Sequence, residues 1–130
     1  MNRNENNSTF DCVVIGGTTL LIRCAEILSD RGHRIKGLFS SDPLIVRWGL
    51  EKGIDVFDPA SIEKFFEENS VDYLFSVVNE RILSSKILAS PRRLAINYHD
   101  APLPRYAGTH ATSWALLNRE REHGVSWHIA

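Results

Sequence analysis

Two side chains suited to carbonyl chemistry lie two positions apart near the end of an apolar run. Asn97 and His99 flank Tyr98 where a strand predicted over residues 94–98 finishes. Because alternate side chains on a strand point to the same face, Asn97 and His99 should project together while Tyr98 turns away. A neutral amide beside an imidazole can hold a carbonyl oxygen as negative charge develops on it, and histidine can move a proton near neutral pH. The pair alone is equally consistent with polar residues that cap the strand end.

A stiff loop follows the pair. Residues 100–108 contain two prolines and a glycine, so they cannot pair into the sheet. Such a loop would form one side of a pocket. Because it is already stiff, it would lose little conformational entropy when a ligand binds. Beyond it, residues 112–118 are predicted to form a helix and residues 123–128 to begin another strand. The candidate substrate contacts here are Pro104, Tyr106, Gly108 and His110, although His110 is equally suited to capping the loop.

A glycine turn provides a second candidate contact. Gly16, Gly17 and Thr18 follow the first apolar run, and ligands of open α/β sheets bind beyond such strand ends, where backbone amides at a helix N-terminus attract anions. Gly17 is therefore a candidate substrate contact. The spacing is not Gly-x-Gly-x-x-Gly, and Ser40 and Ser41 occupy the place of the acidic residue expected after the second strand. A plain tight turn is favoured over a phosphate or dinucleotide site.

Alternating strands and helices must position these residues. Strands are predicted at residues 10–15, 35–39, 54–57, 73–78 and 94–98, separated by helices that begin near residues 20, 42, 61 and 84. Asp42 and Pro43 should start the second helix and Gly53 should end it, while Ser84 or Ser85 caps the fourth. Successive strand–helix units predict a Rossmann-like α/β fold: a parallel sheet with helices on both faces. Residues 10–130 form this one domain, after a polar, flexible leader at residues 1–9.

Composition narrows the class of protein. The chain of 130 residues is 43% hydrophobic and 24% charged, as ordinary globular domains are, and its net charge of −1 lacks the basic excess of a nucleic-acid-binding surface. No signal sequence or apolar run of about 20 residues is present, so we expect a cytoplasmic protein with no membrane partner. Cys12 and Cys24 lie in apolar patterns and should be buried thiols, and no metal site is expected.

The chemistry-bearing segment resembles the folate-dependent formyltransferases. The signature of that family runs Asn-x-His-x-Ser-Leu-Leu-Pro-x-Tyr-x-Gly, then a helix containing Trp-Ala, then Gly-Val-Thr-x-His. The chain departs from it at Ala101, Pro102 and Ser126. Residues 81–83, Arg-Ile-Leu, resemble the segment that lines the folate pocket. The matching positions are Asn97, His99, Leu103, Pro104, Tyr106, Gly108, Trp114, Ala115, Gly124, Val125 and His128, and the implied folate contacts are Asn79, Arg81, Ile82 and Leu83.

The resemblance implies an enzyme that moves a formyl group from 10-formyltetrahydrofolate to a primary amine. Asn97 would bind the formyl oxygen, and His99 would stabilise the same charge and assist proton movement. The family's third catalytic residue, an aspartate, normally follows the Gly-Val-Thr-x-His strand, whereas this sequence stops at Ala130 and Asp100 should point away. We therefore expect a truncated domain that lacks activity by itself. A non-catalytic docking module of the same fold is the alternative, and a nucleotide-binding Rossmann protein is disfavoured.

The acceptor is suggested by the loop sequence. Ala101, Pro102 and the run over residues 108–112 resemble formyltransferase domains at the front of nonribosomal peptide synthetases. That resemblance implies an aminoacyl group on a carrier domain as acceptor, with downstream synthetase domains as partners. A sugar-nucleotide amine and methionyl-tRNA remain as alternatives, and the neutral net charge argues mildly against tRNA.

Overall fold

The computed structural model describes residues 8–79, 81–99 and 126–129, and for residues 99 and 126–129 it gives the backbone alone. Most of the predicted leader, the loop at residues 100–108, the helix at residues 112–118 and the start of the last predicted strand lie outside the described residues. The strands are β1 (Asp11–Gly16), β2 (Arg34–Phe39), β3 (Val56–Phe57), β4 (Tyr73–Val77), β5 (Leu94–His99) and β6 (Ser126–Ile129). The α-helices are α1 (Thr18–Asp30), α2 (Pro43–Lys52), α3 (Ile62–Glu68) and α4 (Ser85–Leu88).

The strands form one sheet in the order β3-β2-β1-β4-β5-β6. The first five are parallel, and β6 runs antiparallel to β5. The chain winds outward from β1 to β3, then returns to β4 on the other side of β1. Ligands of doubly wound sheets bind in the crevice at such a reversal of strand order. The Rossmann-like prediction is confirmed, with the addition that the last described strand is antiparallel.

Two apolar layers hold the helices against the sheet. On one side, the α3 face, Val13, Ile15 and Leu74 pack with Ile62 of α3 and Ile87 of α4. The opposite side is the α1 face, whose buried members include Val14, Val77 and Tyr98 of the sheet with Leu21 and Cys24 of α1 and Ile45 of α2. Because alternate strand residues supply the two layers, both faces of the sheet are buried, as parallel sheets require.

The boundaries of α2, α3 and α4 follow the residues predicted from the sequence. Asp42 caps α2 by accepting from the Leu44 amide at 3.0 Å, and Gly53 ends the helix in the left-handed conformation at φ 74°. Ser84, rather than Ser85, caps α4 by accepting from the Ile87 amide at 3.2 Å. α3 begins directly after Ser61, as predicted, but the Ser61 side chain makes no capping bond, and a 3₁₀ turn capped by Asp58 precedes the helix. The Ser61 hydroxyl instead donates to the Asp58 carbonyl at 2.7 Å.

Charged side chains tie the amino ends of the strands together. Arg34 donates to Asp11 at 2.9 Å, Arg92 donates to Asp72 at 3.0 Å, and the Asp72 carboxylate accepts from the Asp11 amide at 3.0 Å. The hydrogen bond from Arg92 lowers the pKa of Asp72 below its ordinary value. This network joins β1, β2 and β4 at the edge of the sheet opposite the candidate site.

Candidate functional site

The turn after β1 is shaped by a close approach of two strands. Gly16 has φ 150°, and a Cβ at this position would overlap the carbonyl oxygen of Val77 on β4. The same carbonyl accepts from the Gly17 amide at 3.3 Å. Gly16 is therefore required by space and conformation, whereas Gly17 is extended and has nothing within 4 Å of an added Cβ.

The amides of this turn are engaged inside the molecule. Thr18 adopts φ 68°, unusual for a β-branched residue, and its amide donates to Asp42 Oδ2 at 3.3 Å. The Thr18 hydroxyl oxygen accepts from the Leu20 amide at 3.2 Å. The geometry favours the tight-turn interpretation over a phosphate cradle. Gly17, the predicted substrate contact, borders the crevice, but its amide already has Val77 as acceptor.

Asn97 lies on the α3 face beside the crevice. Tyr98 is 3% exposed within the α1-face layer, so the predicted alternation along β5 is confirmed for these two residues. His99 continues β5 and its Cα pairs with Ser126 of β6. The described structure thus brings the Asn97 and His99 positions together at the carboxyl end of β5.

A row of paired positions crosses the whole sheet through Asn97. Its apolar half lies on β3, β2 and β1, and its polar half lies on β4, β5 and β6. The change from apolar to polar occurs at Ser76, which is 3% exposed and pairs with Asn97. Sequence reasoning missed Ser76, although it is the one polar residue in the run at 73–78. In spatial order the row is Phe57, Phe39, Ile15, Ser76, Asn97 and His128.

The segment after β4 leaves the same carboxyl edge of the sheet. Val78 has φ 48°, a conformation that costs a β-branched residue about 1–3 kcal/mol and that often accompanies functional loops. Asn79 then closes a tight turn, because its side chain accepts from the Arg81 amide at 3.2 Å and donates to the Arg81 carbonyl at 3.1 Å. This turn exposes Arg81 and leaves Ile82 96% exposed, while Leu83 packs onto the α3-face core.

Of the predicted folate contacts, Arg81 and Ile82 are thus presented to solvent, and Asn79 shapes the turn that presents them. Leu83 anchors the segment. The predicted contacts Pro104, Tyr106, Gly108 and His110 lie outside the described residues. Among the residues that the structure does describe, no cluster of three or more His, Cys, Asp or Glu side chains could hold a metal ion. Within the same part of the chain, no helix is long and apolar enough to span a membrane.

Two other features lie away from the crevice. Cys12 and Cys24 are free, buried thiols, as predicted. Burial raises the pKa of each thiol to about 12, so neither is a nucleophile at neutral pH. A pocket of about 350 Å³, lined in part by Lys36, Phe57 and Phe65, lies at the β3 edge, four strands from β5 in the sheet order. It is therefore not part of the candidate site.

Fold and site together define a doubly wound α/β domain. The polar half of the row of paired positions lies at the carboxyl edge of its sheet, beside the point where the strand order reverses. Residues 54–130, more than half of the chain, match the formyl transferase family. The chain belongs to that family.

Individual relatives agree with this assignment. The chain is 26% identical to the methionyl-tRNA formyltransferase of Alkaliphilus oremlandii, over 88% of this chain and 42% of that protein. It is 35% identical to the methionyl-tRNA formyltransferase of Clostridium novyi, over 58% of this chain and 26% of that protein. The chain thus spans less than half the length of these curated relatives.

Solved structures share the fold. The phosphoribosylglycinamide formyltransferase of Coxiella burnetii superimposes with a TM-score of 0.67 at 20% identity, over 95% of this chain and 66% of that one. A formyltetrahydrofolate deformylase from Pseudomonas putida gives a TM-score of 0.62 at 17% identity, over 95% of this chain and 49% of that one. At these identities the likeness establishes the architecture.

Proposed function

We propose that this chain contributes the folate side and two catalytic residues of a site that transfers a formyl group from 10-formyltetrahydrofolate to a primary amine. The observation that carries the proposal is the placement of Asn97 and His99 at the carboxyl end of β5, on the face where the sheet row turns polar. Membership of the formyl transferase family supports this reaction class. A relative in fold is named as acting on formyltetrahydrofolate, which supports the one-carbon donor.

Asn97 is suited to the oxyanion role. Its backbone is paired with β4 on one side and β6 on the other, so the position from which its carboxamide would act is set by the sheet. An amide N–H placed in this way donates to the formyl oxygen as the amine attacks and the oxygen becomes negative. His99 would take up the proton that the attacking nitrogen must lose. The aspartate that the resemblance implies as its partner stays a prediction.

The residues after β4 fit a folate. The co-substrate supplies the formyl carbon and a flat aromatic ring system with polar edges. Ile82 offers an exposed apolar surface, Arg81 offers guanidinium donors, and the turn closed by Asn79 holds both at the mouth of the crevice. A ligand that covers Ile82 would remove its side chain from water, which favours binding. We propose Arg81 and Ile82 as contacts, and Asn79 and Leu83 as residues that position them.

For the acceptor we propose the α-amine of an aminoacyl group on a carrier domain, as the resemblance of residues 101–102 and 108–112 suggests. Synthetase domains would be the partners. The relatives from Alkaliphilus and Clostridium are named for methionyl-tRNA, whose reacting group is also an aminoacyl amine. The three acceptors can be distinguished by measuring formyl transfer in parallel assays. The assays supply an aminoacyl carrier thioester, methionyl-tRNA or a sugar-nucleotide amine.

The test measures formyl transfer and binding of 5-formyltetrahydrofolate by a purified protein that extends past Ala130, where the resemblance implies the catalytic aspartate. Replacing either Asn97 or His99 by alanine should lower kcat about 100- to 1000-fold, since that is the typical cost of removing one oxyanion donor. Folate binding should persist in both variants. Asn69→Ala is the matched control, because this exposed amide follows α3 and donates to the Phe65 carbonyl of that helix at 3.0 Å. Normal turnover in both site variants would refute the assignment, whereas folate binding without any transfer would favour a docking module.

A further inference from the structure

The outer surface of α2 carries apolar side chains that the fold leaves uncovered. Five large apolar side chains are exposed among the described residues, and three of them, Leu44, Val46 and Leu50, lie on this helix. The same helix buries Ile45 and Gly49 on its inner side. Val46 and Leu50 are four residues apart and therefore form one ridge along the helix, the apolar ridge. Single exposed apolar residues are ordinary, whereas their concentration on one helix indicates a contact surface.

A ridge of opposite charges, the charged ridge, runs beside the apolar one. It consists of Arg47 and Glu51, which are also four residues apart and are both exposed. In the part of the chain that the structure describes, no ion pair involves either side chain. Arginine precedes glutamate here, which is the less favourable order for a pair within one helix. The two charges can therefore pair with a partner.

The order of these residues along α2 is complementary to itself. When two copies of the helix lie antiparallel about a two-fold axis, Val46 meets Leu50 of the second copy, and Arg47 meets Glu51 of the second copy. Symmetry forms each of these contacts twice. A parallel pair would instead place each charge beside the same charge of the second copy, which is unfavourable. The formal net charge of −1 adds little general repulsion between copies.

We propose that two copies of this chain associate through the outer surface of α2, antiparallel about a two-fold axis, with the apolar ridges packed together and the charged ridges forming ion pairs between the copies. The helix has 10 residues and is about 15 Å long, so the interface is small. A dissociation constant on the order of 10–100 µM is expected for such a contact. Because α2 packs on the α1 face and Asn97 lies on the α3 face, the inference does not depend on the proposed function.

Sedimentation velocity at a series of concentrations tests the association, on the same protein that extends past Ala130. The unsubstituted protein should convert from monomer to dimer as its concentration rises. Leu50→Glu should raise the dissociation constant at least about tenfold, because the association would bury an added charge in the apolar ridge. Ile82→Glu is the matched control, since it adds the same charge at an exposed apolar residue outside α2. It should associate as the unsubstituted protein does.

The charged ridge allows a test that leaves the apolar surface intact. Arg47→Glu makes all the facing charges negative and Glu51→Arg makes them all positive, so each variant alone should be monomeric. When the two variants are mixed in equal amounts, they should form a heterodimer, because every carboxylate then faces a guanidinium. Both substitutions in one chain should restore the homodimer for the same reason.

Three results would overturn the proposal. A protein that stays monomeric at every concentration does not use α2 to bind a second copy. A dimer that survives Leu50→Glu is held by another surface, and charge variants that fail to associate when mixed exclude the antiparallel arrangement. If instead Leu50→Glu lowers the free energy of unfolding of a monomer, another part of the same chain covers α2, and the proposal is equally wrong.

Discussion

Gly16 of β1 and Val77 of β4 approach so closely that a side chain at position 16 would overlap the Val77 carbonyl. Gly16→Ala should therefore destabilise the protein by about 3 kcal/mol, because either the two strands separate or φ 150° is imposed on alanine. Urea unfolding monitored by circular dichroism measures the loss as a lower transition midpoint.

Gly17→Ala is the control for that substitution. Gly17 is extended, and an added Cβ has nothing within 4 Å. The free energy of unfolding should change by less than about 0.5 kcal/mol. Equal destabilisation by the two substitutions would show that the close approach to Val77 is not what requires glycine. A loss of turnover in Gly17→Ala, with stability retained, would support its role as a substrate contact.

The strands and most helix ends could be predicted because their determinants are local. The apolar runs mark β1, β2, β4 and β5, and the capping chemistry of Asp42 and Gly53 marks α2. The start of β3 was placed two residues early. Ile54 belongs to the end of α2 and not to the strand, because its amide donates to the Gly49 carbonyl of that helix at 2.8 Å. Helix-ending hydrogen bonds of this kind are not visible in hydrophobicity patterns.

For the site, sequence alone could place Asn97 on one face and Tyr98 on the other, since alternation along a strand is intrinsic to the backbone. It could not reveal that Ser76 pairs with Asn97, because register between strands depends on the packing of the whole sheet. The bond from Thr18 to Asp42 was hidden for the same reason. Asp42 was recognisable as a cap for its own helix but not as a partner of another.

The exposed side chain of Ile82 allows the proposed folate contact to be tested directly. Ile82→Glu should leave stability within about 0.5 kcal/mol, because the side chain is already 96% exposed. It should weaken binding of 5-formyltetrahydrofolate by about tenfold or more, since a charge would replace the apolar contact. Isothermal titration calorimetry measures the affinity.

Leu50→Glu provides the comparison. Leu50 is 76% exposed on α2, and the same charge at this position should leave folate affinity unchanged. Comparable weakening by both variants would indicate a general effect of added negative charge. Unaltered affinity in Ile82→Glu would remove Ile82 from the folate site.

The two cysteines make stability sensitive to alkali. Burial is the main cause that raises the pKa of Cys12 and of Cys24 from 9.0 to about 12, with Asp11 adding to the effect at Cys12 and Arg23 opposing it at Cys24. In the unfolded chain both thiols ionise near their ordinary pKa. Between pH 9 and 12 the folded protein therefore binds more protons than the unfolded chain. The free energy of unfolding should fall as pH rises through this window.

Cys24→Ala isolates one of these contributions. The unfolding free energy of the variant should decline less steeply between pH 9 and 12 than that of the unsubstituted protein, because one of the two thiols with a raised pKa is missing. Below pH 9 the difference between the two proteins should be constant. Urea unfolding at a series of pH values measures both quantities. Parallel pH profiles throughout would mean that the Cys24 thiol ionises as readily in the folded protein as in the unfolded chain, and so that Cys24 is not buried as the structure places it.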